Sequence, residues 1–298
     1  MFFISGLTLK GGETRQALGC PLALAYGLGS VLFLTSGLAP LALHVPFVPP
    51  EAAVGLAVFM CMPTTLSTGV VLTQAVRGNA AVALLLTVTS NLLSVASVPL
   101  LLQWALGPAA EAVSGSFSPT AVARGLACTV LAPLLAGIAT QIAIPGVKRW
   151  RADNRRAISY VTAGLLAFIP WMQVSRASAT NLAIAPEALA AIAAAGLGVH
   201  LLFLLINTTL TSRMRFVPGD AVADRGVRRA VVLCTSQKTL PIAIAVLAQL
   251  APALGPGAAY AALSCVAAHL IQTVFDSALV SHWLQRDAAE SRGRVAAQ

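Results

Sequence analysis

The sequence predicts an all-α fold, namely a polytopic bundle of membrane-spanning helices. Three observations support this prediction. The 298 residues are 57% hydrophobic and only 10% charged, whereas soluble domains carry roughly 25% charged residues. The apolar runs are long enough to cross a bilayer as helices. These runs also lack the strict alternation of barrel strands, and open sheet edges cannot face lipid. The lipid bilayer is therefore the expected environment of this chain.

Eight apolar runs of spanning length follow one another along the chain, after a short opening run. The opening residues 1–10 are too short to span and lack the basic start of a signal peptide, so they are interpreted as the tail of a helix whose beginning is missing. The eight predicted spans are 16–43, 52–76, 79–106, 118–145, 157–175, 186–212, 229–250 and 257–284.

The basic residues predict the orientation of the bundle. Assigning successive gaps to alternate sides of the membrane places sixteen Lys and Arg on one side, whereas only Arg124 and Arg176 lie on the other. By the positive-inside rule, the richer side and the C-terminus face the cytoplasm or the stroma. The net charge of +9 then reports orientation, so no nucleic-acid partner is predicted. The basic segments 148–156 and 212–229 are predicted to be loops. The sixteen residues are Lys10, Arg15, Arg77, Lys148, Arg149, Arg151, Arg155, Arg156, Arg213, Arg215, Arg225, Arg228, Arg229, Arg286, Arg292 and Arg294.

Two of the spans are interrupted by polar residues at mid-depth. Pro63 breaks the second span and Pro241 the seventh, because proline lacks a backbone donor. The breaks align at an offset of about 175 residues and are separated by five helix steps, so they run in opposite directions. Paired, inverted breaks are typical of the binding site of a secondary transporter. The candidate substrate- and ion-binding residues at the breaks are Pro63, Thr64, Thr65, Ser67 and Thr68, and Thr235, Ser236, Gln237, Lys238 and Thr239.

Lys238 is the most informative single residue, since a charge at the centre of a span costs about 2.5–3.5 kcal/mol on insertion scales. Two explanations stay open. Its ammonium faces a substrate anion or occupies a cation site, or it forms a structural ion pair with Asp276, the acidic residue inside a span. Asp276 is therefore a supporting candidate, as is Pro241.

Further polar residues lie within the spans. Thr87 and Asn91, on the helix after the first break, are added to the candidate site, although Thr87 is equally able to bond its own helix. Asn79, at the start of that helix, is a supporting candidate. His200, Asn207 and His269 are favoured as interhelical contacts.

The segments at residues 62–93, 234–249 and 265–280 resemble the bile acid:sodium symporter superfamily, and are most similar to its SBF-like branch with plastid and bacterial members. The resemblance covers nearly the whole chain. It implies ten helices in two inverted five-helix repeats, with core and panel parts and the two broken helices crossing at mid-membrane. By this resemblance the chain lacks the first helix and most of the second. Residues 1–145 then hold the rest of the first repeat and the first helix of the second, and 146–298 hold the remainder.

The resemblance also implies where sodium is bound in sodium-coupled members. Thr87 and Gln237 fall on a threonine and a glutamine that those members use. Leu233 stands at the position of their glutamate, and Lys238 at the position of an asparagine. Hard cations prefer anionic oxygen ligands, so the loss of the glutamate predicts coupling that differs from two-sodium symport.

The predicted function is secondary active transport of a small organic anion, symporter-like, with sodium or a proton as the coupling ion and no other cofactor. A membrane scaffold that regulates ion handling is the alternative. An intramembrane enzyme is disfavoured because the chain has no HExxH motif and no cluster of acids within its spans. The predicted location is the plasma membrane of a bacterium or the plastid envelope of an alga or plant. The sequence does not specify the substrate or the oligomeric state.

Overall fold

The computed structural model describes residues 2–8, 17–65, 67–113, 118–179 and 185–296, and every regular element within these ranges is helical. In chain order the helices are α1 (Phe2–Thr8), α2 (Pro21–Gly29, continued by the π-helical turn Ser30–Leu34 and the 3-10 helix Ser36–His44), α3 (Glu51–Met60), α4 (Thr68–Ala75), α5 (Ala80–Val113), α6 (Pro119–Leu126, the π-helical turn Ala127–Leu131 and Ala132–Ala143), α7 (Pro145–Asp153), α8 (Arg155–Ala179), α9 (Pro186–Ser212), α10 (Ala221–Ser236), α11 (Leu240–Leu254) and α12 (Ala258–Ala296).

Six stretches of the described chain are long and apolar enough to cross a membrane: Pro21–His44, Ala80–Gly107, Pro119–Ala143, Arg156–Ser175, Pro186–Ser212 and Ala221–Gly293. The last stretch contains two predicted spans, 229–250 and 257–284. Predicted span 52–76 is divided into α3 and α4, of 10 and 8 residues, and a 10-residue helix is only about 15 Å long. Each half of a broken helix is therefore too short to be recognised as a membrane span by its length. The predicted all-α membrane bundle is confirmed.

Helix α3 is buried from Ala52 to Met60 and packs closely on α12. At the contact, the backbone of Gly55 lies directly on that of Ala261, where a Cβ on residue 55 would overlap the Ala261 carbonyl. The Cys265 thiol donates to Gly55 O at 3.2 Å. The absence of a side chain at residue 55 thus sets the spacing between the first broken helix and α12.

Helix α1 packs on α6 through a second pair of glycines, Gly6 and Gly137, each of which lies against the opposing backbone. Gln141 Nε2 and an Arg151 guanidinium nitrogen both donate to Leu7 O, at 2.9 and 3.1 Å. The opening segment is therefore an integral part of the helical packing.

The predicted loops 148–156 and 212–229 are partly wrong. Residues 148–153 belong to α7, which starts at Pro145 because proline at the first helical position needs no hydrogen-bond partner. The second segment is a loop only to Asp220, whose carboxylate accepts from Val222 N and Ala223 N at 3.0 and 2.9 Å and so starts α10. The charged composition of the two segments indicated that they lie at the polar ends of helices. It did not indicate that α7 starts at Pro145 or that Asp220 caps α10.

One face of the bundle gathers several of the basic residues that were assigned to one side. Arg229 forms two bonds to the Asp287 carboxylate, at 2.7 and 2.8 Å, and donates to Val76 O at 3.3 Å. Arg225 lies 3.0 Å from Glu290. These contacts join the ends of α4, α10 and α12. Lys10 and Arg15, which also entered the orientation argument, lie outside the described residues, and the side of the membrane stays a prediction.

We expect Gly55→Leu to destabilise the protein strongly, by about 1–3 kcal/mol or more, because overpacking forces helices apart. The measurement is the melting temperature and the yield of monodisperse protein in detergent. Gly164→Leu is the matched control, since a Cβ at Gly164 of α8 meets nothing within 4 Å. Equal melting temperatures for the two variants would contradict this account of the α3–α12 contact.

Candidate functional site

The two breaks meet in the interior of the bundle. Thr239 N donates to Pro63 O at 3.0 Å, a backbone hydrogen bond between the two interrupted helices. Both residues are buried. The N-termini of α4 and α11 follow the breaks, and helix N-termini carry partial positive charge. Backbone groups in a membrane must find partners within the protein, so this bond satisfies groups that the breaks set free.

The Gln237 side chain bridges the crossing. Its Oε1 accepts from the hydroxyls of Thr65 and Thr68, at 2.6 and 3.1 Å, whereas its Nε2 donates to Asp276 Oδ2 at 2.6 Å. Thr65 Oγ1 in turn accepts from Gly69 N at 3.1 Å. Both breaks and α12 are thus joined by one amide group that is fully buried.

Asp276 is held by Gln237 and by His200, and it does not pair with Lys238. His200 Nε2 lies 2.8 Å from Asp276 Oδ1, and His200 Nδ1 lies 3.3 Å from Ser236 O. The predicted alternative of a Lys238–Asp276 ion pair is therefore wrong. The reason is geometric: the lysine side chain leaves the break toward α2, whereas Asp276 lies on the side of Gln237.

Lys238 is fully buried, and its ammonium lies among neutral groups. Nζ donates to Val31 O at 2.8 Å and to Ser36 Oγ at 3.1 Å, and it lies 5.6 Å from the centroid of the Phe203 ring. Its backbone is held by Gln272, which accepts from Lys238 N at 3.0 Å and donates to Lys238 O at 2.6 Å. Within the described ranges, no carboxylate forms an ion pair with this ammonium.

Three buried oxygen atoms beside the first break have no hydrogen-bond partner among the described residues: Thr64 Oγ1, Thr87 Oγ1 and Asn91 Oδ1. Asn91 Nδ2 donates to Thr64 O at 3.1 Å and to Thr87 O at 2.7 Å, which brings the three residues together. Buried polar atoms are almost always paired, and where protein partners are absent a bound water or ion takes their place. Neutral hydroxyl and amide oxygens suit a hard cation.

The other candidates from the sequence lie around the crossing or away from it. Ser67 precedes α4 and Pro241 lies in the first turn of α11. Thr235 bonds back to Val231 O at 2.8 Å. Ser236 contacts α9 through Asn207, whose Nδ2 lies 3.4 Å from Ser236 Oγ.

Asn79 lies at the end of the bundle rather than at the crossing. Its Oδ1 accepts from Val82 N at 3.0 Å and its N donates to Gly226 O at 2.9 Å, which makes it a cap for α5.

No cluster of His, Cys, Asp and Glu suited to a metal ion occurs among the residues that the structure describes.

Sequence reasoning missed the contributions of Val31, Ser36 and Gln272. A signal for Ser36 was present, since it lies next to Thr35 and the two form an adjacent polar pair within a mostly apolar span. Gln272 lies one turn before Asp276 on α12, within the segment 265–280 that carries part of the family resemblance. Val31 contributes only its carbonyl, which no side-chain pattern identifies.

The chain matches known proteins over most of its length. The profile of the SBF-like CPA transporter family matches residues 1–285. The chain is 40% identical over 291 residues to a chloroplastic protein of Oryza sativa subsp. japonica named probable sodium/metabolite cotransporter BASS4, covering 96% of this chain and 68% of the relative. The protein of the same name in Arabidopsis thaliana is 39% identical over 287 residues, covering 96% and 65%.

A more distant relative is sodium/bile acid cotransporter 7 of Rattus norvegicus, which is 28% identical over 253 residues, covering 83% of this chain and 70% of the relative. The chain thus spans about two thirds of the length of these proteins. The predicted resemblance is confirmed: the chain belongs to the SBF-like CPA transporter family, and it is an integral membrane transporter rather than an enzyme.

Proposed function

We propose that the protein is a secondary transporter that moves a small organic anion together with a coupling cation. The observation that carries the proposal is the fully buried Lys238 ammonium at the crossing, held by neutral groups. A buried charge without a counter-ion is costly, and a bound anion would offset that cost. The N-termini of α4 and α11 also lie at the crossing, and their partial positive charge favours an anion there.

A small cavity next to Lys238 also supports a bound group at this position. A small cavity beside the ammonium is lined by Phe59, His200, Phe203, Ser236 and Gln272, among others. Two of the ammonium's contacts are hydrogen bonds to α2, so one N–H group stays available for a ligand. The names of the relatives, which mention metabolites and bile acid, fit carboxylate-bearing substrates.

The coupling cation is proposed to be sodium, held by the unpaired oxygens of Thr64, Thr87 and Asn91. The family's glutamate position holds Leu233, which is fully buried in an apolar cluster with Val76 and Val280. The sodium site therefore has neutral ligands alone, and a second sodium of the two-sodium type lacks its carboxylate. Transport is therefore coupled to a single sodium ion. A proton is the alternative coupling ion, and the sodium-replacement experiment below distinguishes the two.

The arrangement of the halves and the membrane side belong to the same proposal. Residues 1–145 and 146–298 contribute one broken helix each, as two inverted repeats of a single membrane unit would. The sixteen basic residues on one side favour a C-terminus in the cytoplasm, or in the stroma if the host membrane is a plastid envelope.

Lys238→Ala is expected to reduce anion uptake by at least about tenfold, because truncating a buried charge removes the partner of the bound anion. Uptake of radiolabelled taurocholate and pyruvate into proteoliposomes would be measured under a sodium gradient. Lys148→Ala, the same substitution at an exposed lysine of α7, is the control and should transport like the unmodified protein. Undiminished uptake by the Lys238 variant would contradict the anion role.

Asn91→Leu and Thr87→Val are expected to raise the sodium concentration needed for half-maximal uptake by about tenfold or more, since each removes an oxygen ligand. Sodium would be replaced by choline at constant ionic strength. Thr89→Val is the matched control because Thr89 lies on the same helix but is partly exposed. If uptake in choline equals uptake in sodium while a proton gradient drives it, the sodium assignment is wrong.

A further inference from the structure

The helix that receives the Lys238 ammonium is distorted at the point of contact. In a regular α-helix, Thr35 N would bond to Val31 O. Here Thr35 N bonds to Ser30 O at 2.8 Å, within the π-helical turn Ser30–Leu34. The carbonyl of Val31 accepts instead from side chains, including Ser36 Oγ at 3.0 Å and Lys238 Nζ at 2.8 Å. Such π-helical turns are frequent at functional sites.

The atoms around the ammonium form a cradle of neutral, electron-rich groups, namely Val31 O, Ser36 Oγ and the Phe203 ring. Because Ser36 donates its hydroxyl hydrogen to Val31 O, its oxygen lone pair is directed at the ammonium, 3.1 Å away. The face of an aromatic ring attracts a cation in the same way. Backbone carbonyls are also the groups that replace the hydration shell of potassium in channels.

Contacts other than those of Lys238 hold the cradle in place. Tyr26 OH and Ser30 Oγ both donate to Asn207 Oδ1, at 2.9 and 2.6 Å. Asn207 Nδ2 donates to Phe203 O at 2.8 Å. These bonds fix the distorted part of α2 against α9, which carries the Phe203 ring. The cradle is therefore expected to persist when the lysine side chain is removed.

From this geometry we infer that Val31 O, Ser36 Oγ and the Phe203 ring form a binding site for a monovalent cation of the size of ammonium or potassium, which the protein fills with its own Lys238 side chain. The site is separate from the oxygens of Thr64, Thr87 and Asn91. It also stands independently of the proposed transport of an anion, because it concerns what binds at α2 and not what crosses the membrane.

Lys238→Ala tests the inference, since it empties the cradle without altering the cradle's own atoms. The melting temperature of purified protein in nanodiscs would be compared in choline, sodium, potassium and ammonium chloride at equal ionic strength. We expect the variant to melt a few degrees higher in ammonium or potassium than in choline, because a ligand that binds only the folded state stabilises it. The unmodified protein should show no such difference, since its cradle is filled.

Two further variants locate the effect. Adding Ser36→Ala to Lys238→Ala removes one ligand and should abolish most of the shift, whereas Lys148→Ala should behave as the unmodified protein does. Binding of radioactive rubidium, a potassium surrogate, to the same purified samples gives a second measurement. Rubidium should bind to the Lys238→Ala protein and not to the unmodified one.

Identical melting of the Lys238→Ala protein in choline, potassium and ammonium chloride, or equal rubidium binding with and without Lys238, would overturn the inference. If the alanine variant does not fold, Lys238→Asn provides the same test with a polar side chain that is too short to reach α2. Rubidium binding after Lys238→Ala would support the cation site whether or not the unmodified protein takes up taurocholate or pyruvate, so the cation site and the proposed function are tested separately.

Discussion

The rest of the site depends on one constraint, that backbone groups at the centre of a membrane find their partners within the protein. Two helices that are interrupted where they meet leave free donors and acceptors, and the bond from Thr239 N to Pro63 O joins the two breaks. The Gln237 amide completes the junction, because its two ends bind the opposite break and α12. Each break is thereby stabilised by the presence of the other.

The polar groups at the crossing divide into those that are fully bonded and those that are not. Gln237, Asp276 and His200 use both ends of their side chains in bonds between helices, which makes them structural links. Thr64, Thr87 and Asn91 each keep one buried oxygen unpaired. This difference separates the atoms that hold the junction together from those that are available to a ligand.

Much of this architecture could be predicted from the sequence, because lipid imposes simple rules on composition. Apolar runs indicated the spans, and Pro63 and Pro241 marked two breaks that meet as expected. The partner of Lys238 could not be predicted in this way, since it depends on the direction of a long side chain and on a freed backbone carbonyl at Val31. Asn79 is the opposite case, because it lies near the break in sequence and in the structure it caps the following helix.

The covalent attachment of the Lys238 ammonium has a consequence for the chemistry of the crossing. A dissolved ion occupies a site according to its concentration, and it exchanges with the solutions on both sides of the membrane. A charge at the end of a four-carbon side chain does neither. Its stoichiometry is one per chain, and dilution cannot remove it from the contact with α2.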